Sequence, residues 1–295
     1  MFVQSSFSGI GECGELYLVS TPIGNLQDIT VRALDTLRMV DVIAAEDTRQ
    51  TRKLLNHFEI EAKLVSHHEH NKQTSTHGII QWLQEGKKIA LVSDAGMPAI
   101  SDPGYELVRD ATALHIPVIP IPGPNAGLSA LIASGLPTDK FMFVGFFPRE
   151  KKSLHKELNR IQFYPETIIF YESPHRITKT LIEIREVLGD RPICLARELT
   201  KKFEEFIRGS VDEVLGHLNT LDQIRGEFTV ILGGCPSQES QGPENEWWHD
   251  LDIMAHVDHY IQEGITSKEA IKKAAEDRQV PKRDVYNVYH RAEME

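Results

Sequence analysis

Two carboxylates, Asp94 and Asp102, stand in the run Leu91–Gly104 (LVSDAGMPAISDPG) among Pro98, Pro103, Gly96 and Gly104. The run starts as an apolar strand and breaks into small residues. A loop of Gly, Ala and Pro at the carboxyl end of a buried strand lets a ligand reach the main chain, because few side chains stand in the way. Asp94 could accept hydrogen bonds from ligand hydroxyls or from an amine. A tight turn that merely reverses the chain would share this composition. Two comparable turns flank it, Ser20–Asn25 (STPIGN) and Ile121–Ala126 (IPGPNA). Three such loops, each directly after a strand, point to one binding crevice built by one sheet.

The elements that must carry these loops are short β-rich runs alternating with helical spacings. Strands are predicted at Glu15–Ser20, Val40–Glu46, Lys63–His67, Lys88–Asp94 and Pro117–Ile121. Ile29, Ala33, Leu34, Leu37 and Val40 repeat at helical spacing, as do Ile79, Ile80 and Leu83 before Gly86. The fold class expected is α/β, with a parallel or mostly parallel sheet covered on both faces. A second set follows: strands at Phe141–Phe147, Thr167–Glu172, Ile193–Arg197, Glu205–Arg208 and Phe228–Leu232, helices at Lys151–Gln162, Ile177–Leu188 and Val211–His217. The expected layout is a disordered leader (1–14), an N-terminal α/β domain (15–136), a C-terminal α/β domain (137–235), a polar Pro/Gly/Ser-rich linker (236–246) and a small helical module (247–295). In that module SKEAIKKAAEDRQVPKRDVYNVYHR reads as helix, turn at Gln279–Pro281, helix.

Bulk properties narrow the classes. The 295 residues are enough for two cored domains, and 41% hydrophobic with 25% charged residues is a globular composition. No apolar run is long enough for a membrane span, and MFVQSSFSGIGECG lacks the pattern of a secretory signal. Cys13, Cys194 and Cys235 are far apart, which supports neither a zinc knuckle nor a disulfide framework. A net charge of −11 argues against a protein that coats nucleic acid by charge alone, but allows local basic patches.

Other motifs admit plainer explanations. STPIGN is neither GxGxxG nor a P-loop. In Glu46-Asp47-Thr48-Arg49, helix capping accounts for Asp47 or Thr48; Arg49 is left to serve that cap or to reach a phosphate. His67, His68 and His70 lack the spacing of a metal site, so no metal is expected. Arg149–Arg160 carries five Lys/Arg against two Glu, a solvated helix face or an RNA contact. Glu172–Arg176, Ala196–Lys201 and Gly226–Val230 set polar groups at strand ends, where caps, ion pairs or a lined cleft all fit.

Taken in order, STPIGNL (20–26), EDTR (46–49), SDAGMPAISDPG (93–104), PGPNA (122–126), GFFPR (145–149), ESPHR (172–176), AREL (196–199) and GEFTVIL (226–232) resemble the tetrapyrrole-methylase superfamily. Within it they resemble the branch that methylates the ribose 2′-hydroxyl of a cytidine in small-subunit (16S) ribosomal RNA with S-adenosylmethionine. The resemblance implies two α/β domains around a cleft that holds this cofactor. It implies a cofactor site of Pro22, Ser93, Asp94, Ala95, Gly96, Met97, Ile100, Ser101, Asp102, Asn125 and Ala126, closed by Tyr171, Ala196 and Arg197. Met97 stands where threonine is common in the family, which removes a hydroxyl contact but not a backbone one.

A ribose hydroxyl is a weak acid, so a base or water relay is expected to take its proton. Glu46, Asp47, Glu172 and Glu227 are candidates, with the base itself unassigned; Asp94 or Asp102 would instead offset cofactor charge. Arg49, Arg149, Lys151, Lys152, Arg176 and Lys201 are expected to form a basic rim for RNA. Lys268, Lys272, Lys273, Lys282 and Arg283 in the C-terminal module resemble a helix-turn-helix contact to RNA or ribosome, or a plain surface helix pair. A homodimer, a cytoplasmic location and no membrane partner are expected. The rival readings are a tetrapyrrole C-methyltransferase of the same superfamily and a non-catalytic ribosome-binding protein.

Overall fold

The computed structural model describes residues 3–4, 13–235, 247–248, 251–278 and 280–292. The linker at 236–246, Gln279 in the predicted turn and most of the leader at 1–14 lie outside these. The described residues fall into two compact units, one ending at Cys235 and one after it.

The first unit holds two sheets. Strands β1 (Leu16–Val19), β2 (Val42–Ala45), β3 (Lys63–Ser66), β4 (Ile89–Val92) and β5 (Val118–Ile121) form one, ordered β3-β2-β4-β1-β5 and parallel at every pairing. Helices α1 (Val31–Met39), α2 (Thr48–His57), α3 (Lys72–Gln84) and α4 (Tyr105–Ala113) make the crossovers. Side chains alternate across the strands, so each face gets its own core. Tyr17, Val19, Ile43 and Ala45 pack with Leu37 and Leu55 on one face. Leu16, Val42, Ala44 and Leu91 pack with Ile79, Leu83 and Leu107 on the other. Central strands buried on both sides read as continuous apolar runs, which is why VIAA and IALV carry no polar residue. The order β2-β4-β1-β5 also sets the loops after these four strands side by side at the carboxyl edge. EDTR, SDAGMP, STPIGN and PGPNA thereby become neighbours.

The second sheet comprises β6 (Phe141–Phe146), β7 (Thr167–Glu172), β8 (Pro192–Arg197), β9 (Glu205–Ser210) and β10 (Phe228–Leu232), ordered β6-β7-β10-β8-β9. It is mixed, unlike the first. β6 and β7 are parallel, while β10 runs antiparallel to both β7 and β8, and β8 to β9. The connection between β8 and β9 holds only residues 198–204, too short for the crossover that parallel strands need. Helices α6 (Lys151–Ile161), α7 (Ile177–Leu188) and α8 (Val211–Leu218) cover one face around Phe147, Leu158, Phe170 and Leu181. The other face is covered by α5 (Ala126–Ser134), whose Ala130 and Leu131 pack on Ile169, Cys194, Ala196 and Ile231. This helix follows β5 of the first sheet and lies on the second, so it fixes the lobes to each other. Arg208 holds its far end, donating to the carbonyls of Ala133 at 2.6 Å and Ser134 at 3.2 Å, where a cation suits the helix C-terminus.

The second unit contains α9 (Ile253–Gln262), α10 (Ser267–Asp277) and α11 (Lys282–Ala292). Val257, Ala270, Ile271, Ala274, Val285 and Tyr289 form its core. Arg278 ties it together by donating to His256 Nδ1 at 3.0 Å and to the carbonyls of Trp248 and Leu251.

Candidate active site

The loop after β4 is held in a demanding backbone. Gly96 and Gly104 have φ of 79° and 143°, and the non-glycine residues Ala99 and Ser101 have 66° and 61°. Left-handed backbone at a residue with a Cβ costs about 1–3 kcal/mol and persists where surrounding contacts impose it. The first half of the loop shows such contacts. Thr21 and Gly96 exchange backbone hydrogen bonds of 2.9 and 3.0 Å, so the STPIGN loop clamps the SDAGMP loop. Thr21 Oγ1 donates to the Ser93 carbonyl at 3.1 Å, and the Ser93 hydroxyl lies 3.3 Å from the carbonyls of Ala95 and Gly96. Ser93 is buried and shapes the loop from beneath.

Above this loop a cavity of about 580 Å³ opens between the two sheets, within the range of small-molecule sites. Its first-sheet wall is Glu46, Asp94–Met97, Ile100–Asp102, Asn125 and Ala126; Tyr171, Ala196, Phe146 and Thr229 belong to the wall opposite. Asn125 caps α5, accepting from Leu128 N–H at 2.8 Å, and its amide donates to Met97 Sδ at 3.5 Å. The Tyr171 hydroxyl meets the backbone of Gly127, and a Cβ at Gly127 would lie 3.6 Å from that oxygen. That is ordinary van der Waals contact, so the tyrosine packs against the start of α5.

Six carboxylates and one lysine line the cavity. Three of the acids are already satisfied. Glu172 accepts from Thr180 Oγ1 at 2.7 Å and from Ser173 N–H at 2.8 Å, and Arg176 lies 3.4 Å away. Glu198 and Glu227 accept from Lys201 Nζ at 2.9 and 3.0 Å. Burial opposes the charge of Lys201, but these two bonds raise its pKa, so it stays an ammonium. Glu46, Asp94 and Asp102 have no cationic side chain against them among the lining residues. Burial, and next the Glu46 charge, push Asp102 up to about 7, with Asp94 adding to the rise and the Ser93 hydroxyl opposing it. Burial and Asp94 likewise raise Glu46. The Asp94 carboxylate accepts from Asp47 N–H at 3.0 Å, which binds the ends of β2 and β4. With its lining lysine already taken by Glu198 and Glu227, this part of the cavity repels anions.

Most of the expected cofactor residues meet here: Asp94, Ala95, Gly96, Met97, Ile100, Ser101, Asp102, Asn125, Ala126, Tyr171 and Ala196 all line the cavity. Pro22, Ser93 and Arg197 do not. Ile23 takes the place of Pro22, and Arg197 turns to the Arg225 carbonyl at 2.6 Å and to Glu205 at 3.1 Å. Of the candidate bases, Asp47 lies outside; hydrogen bonds from Arg49, at 2.7 and 3.0 Å from its oxygens, draw its pKa down to about 2. Ile23, Phe146, Ser173, Pro174, Leu199, Phe228 and Thr229 line the cavity without having been singled out. Each lies inside one of the quoted motifs, and that membership was the signal.

Among the expected RNA contacts, Arg49, Arg149, Lys151, Lys152, Lys272, Lys273, Lys282 and Arg283 are exposed. Lys151 is engaged by Glu183 at 2.8 Å, and Lys272 lies 3.4 Å from Glu276. Arg176 points inward, donating to the carbonyls of Phe147 and Pro148 at 3.1 and 3.0 Å. His67 is buried with Nδ1 2.8 Å from Ser75 Oγ, and Asn71 accepts from His68 N–H at 2.8 Å; this cluster starts α3.

The lobes also touch at one edge of the cleft. Asn25 N–H donates to Thr200 Oγ1 at 3.0 Å. A Cβ on Gly24 would lie 2.6 Å from Lys201 Cγ and 3.1 Å from the Leu199 carbonyl. Gly24→Ala is therefore expected to cost about 1–3 kcal/mol; urea unfolding with an unchanged midpoint would show that the contact is dispensable.

Comparison with known proteins bears on this cleft. Residues 15–215 match the model of the Tetrapyrrole (Corrin/Porphyrin) Methylases. The chain is 58% identical over 287 residues to the ribosomal RNA small subunit methyltransferase I of Bacillus subtilis (strain 168), covering 97% of this chain and 98% of that one. It is 45% identical over 290 residues to the protein of that name from Streptococcus pyogenes serotype M1, covering 98% and 99%. Among solved structures, cobalt precorrin-4 methyltransferase is similar with a TM-score of 0.56 at 19% identity, over 74% of this chain and 94% of that one. The uroporphyrin-III C-methyltransferase of Thermus thermophilus complexed with S-adenyl homocysteine gives 0.52 at 19%, over 75% and 97%. These two neighbours establish the fold. By family model and near-full-length identity, the chain belongs to the tetrapyrrole (corrin/porphyrin) methylases, in the group of sequences named ribosomal RNA small subunit methyltransferase I.

Proposed function

We propose that this chain transfers a methyl group from S-adenosylmethionine to the ribose 2′-hydroxyl of a cytidine in small-subunit ribosomal RNA. The observation that carries the reading is the trio Glu46, Asp94 and Asp102, carboxylates in a small-residue cavity whose lining lysine is already paired with Glu198 and Glu227, which leaves positive charge in deficit there. A positively charged sulfur and an amino group fit that deficit, while a nucleoside triphosphate does not. The names of the near relatives support ribosomal RNA as substrate.

The residues divide the work as follows. Backbone groups of Ala95–Met97 and Asn125–Ala126 would hold the cofactor, with Tyr171 and Phe146 as aromatic walls. When bound, the cofactor supplies a methyl group already activated by its sulfonium, so the protein mainly aligns the two reactants. Asp94 and Asp102 balance its charge. Of the four candidate bases, Glu172 and Glu227 are already engaged by their partners and Asp47 lies outside the cavity; Glu46 remains to accept the hydroxyl proton. Exposed Arg49, Arg149 and Lys152 supply phosphate contacts at the rim.

The proposal includes a homodimer in the cytoplasm. Leu128 and Ile132 on α5, with Phe141 and Phe143 on the edge strand β6, are exposed apolar residues, of the kind self-association covers. Among the described residues no helix is long and apolar enough to cross a membrane.

The test is transfer of a labelled methyl group to ribosomal RNA from cells lacking the enzyme, offered free and as assembled small subunits. One 2′-O-methylated cytidine is expected; label on a base, or none on either substrate, would refute the reading. Replacing Arg149, Lys151 and Lys152 together by alanine is expected to weaken RNA binding and flatten its salt dependence by about two to three in log–log slope. An unaltered slope would return the patch to an ordinary solvated helix face.

A further inference from the structure

At the edge of the cavity the connection between β8 and β9 presents an aromatic ring to solvent. Phe203 is 69% exposed. It stands two residues beyond Lys201, which lines the cavity, so its Cα lies within about 7 Å of that rim residue's Cα. The loop beneath it is braced. Glu204 accepts from Thr200 N–H at 2.7 Å, Glu204 N–H donates to the Lys201 carbonyl at 3.1 Å, and Lys201 is held by Glu198 and Glu227. Thr200 in turn accepts from Asn25 of the opposite lobe at 3.0 Å. The ring is thus exposed on a stiff support rather than on a free tail. The neighbouring Lys202 is exposed, with its ammonium 5.7 Å from the ring centroid.

We propose that Phe203 is a stacking platform for an unpaired nucleobase adjoining the nucleotide whose ribose enters the cavity, with Lys202 on a neighbouring phosphate. The inference rests on RNA being the substrate. Single-stranded nucleic acid is recognised by this pairing of aromatic faces with cations. A protein surface would favour a broader apolar patch than one ring beside a single exposed lysine. The position also fits the geometry of the task. A ribose hydroxyl can enter a cavity between two sheets only if its nucleotide leaves a continuous helix, and the displaced neighbour then offers an open base face.

The experiment measures binding of the full chain to a single-stranded RNA of about a dozen nucleotides from the methylated region, alongside titration with S-adenosylmethionine. Phe203→Ala is expected to weaken RNA binding about five- to one-hundredfold, leave the salt slope unchanged and leave cofactor binding intact. Phe203→Trp should retain affinity, and Phe203→Leu should resemble alanine. Lys202→Ala should lower the salt slope by about one. Equal RNA affinity for wild type and Phe203→Ala would overturn the proposal, as would full activity of the leucine variant in binding. An effect seen only with assembled subunits, and absent with naked RNA, would assign the ring to a protein contact and overturn it too. If the wild type binds cofactor but no RNA, free or assembled, the substrate reading fails and this inference with it.

Discussion

Asp94→Ala is expected to weaken S-adenosylmethionine binding by about ten- to one-hundredfold while leaving the chain folded. A hydrogen bond to a charged group contributes about 1.5–3 kcal/mol, which is that range of affinity. Asp94 is exposed in the free protein and stands at the cavity wall. It accepts from Asp47 N–H at 3.0 Å, a bond that water replaces at low cost at an exposed strand end. Asp94→Asn separates the two contributions: it can still accept that bond but carries no charge. If charge balance dominates, the asparagine variant should lose nearly as much affinity as alanine. Calorimetric titration giving wild-type affinity for both would remove Asp94 from the site.

Cofactor affinity is also expected to depend on pH through Asp102. Its carboxyl is pushed up to about 7, chiefly by burial and by Glu46, so in the free protein it is largely protonated at pH 5.5. A cationic ligand prefers the ionised form, and binding then expels a proton. Affinity should rise about tenfold between pH 5.5 and 7 and level off above, and Asp102→Asn should flatten most of that rise. Stability moves the opposite way. The native carboxyl holds its proton where the unfolded one has lost it, so the contribution present below pH about 4 is lost as pH rises towards 7. After allowance for partial solvent screening, Asp102→Asn should gain about 1–3 kcal/mol at pH 8 and nothing near pH 4. A flat pH profile of cofactor affinity in the wild type would contradict this assignment.

How far the residues announced this site depends on what their placement required. The first sheet was legible because VIAA and IALV are uninterrupted apolar runs followed at once by loop residues. Strands β7 and β10 match the expected spans at both ends. The mixed second sheet was not legible: β10 inserts between β7 and β8, a pairing fixed by contacts remote in sequence. Nor was the position of α5, whose small apolar residues could pack on either sheet. Basic side chains misled for a related reason. Arg176 was expected on an RNA-binding rim and Arg197 at the cofactor, but their partners are backbone carbonyls and acids that only the fold brings near. Phe146 and Thr229 lay within quoted motifs but carried no chemistry of their own; they reach the cavity because β6 ends and β10 begins there.

A crystal structure of the full chain with S-adenosylhomocysteine tests the central claim most directly. The account predicts the ligand between the lobes, its polar atoms on the backbone of Ala95–Met97 and Asn125–Ala126, and its amino group beside Asp94 or Asp102. A ligand seated elsewhere, or side chains closing the cleft so that no adenosine enters, would contradict it.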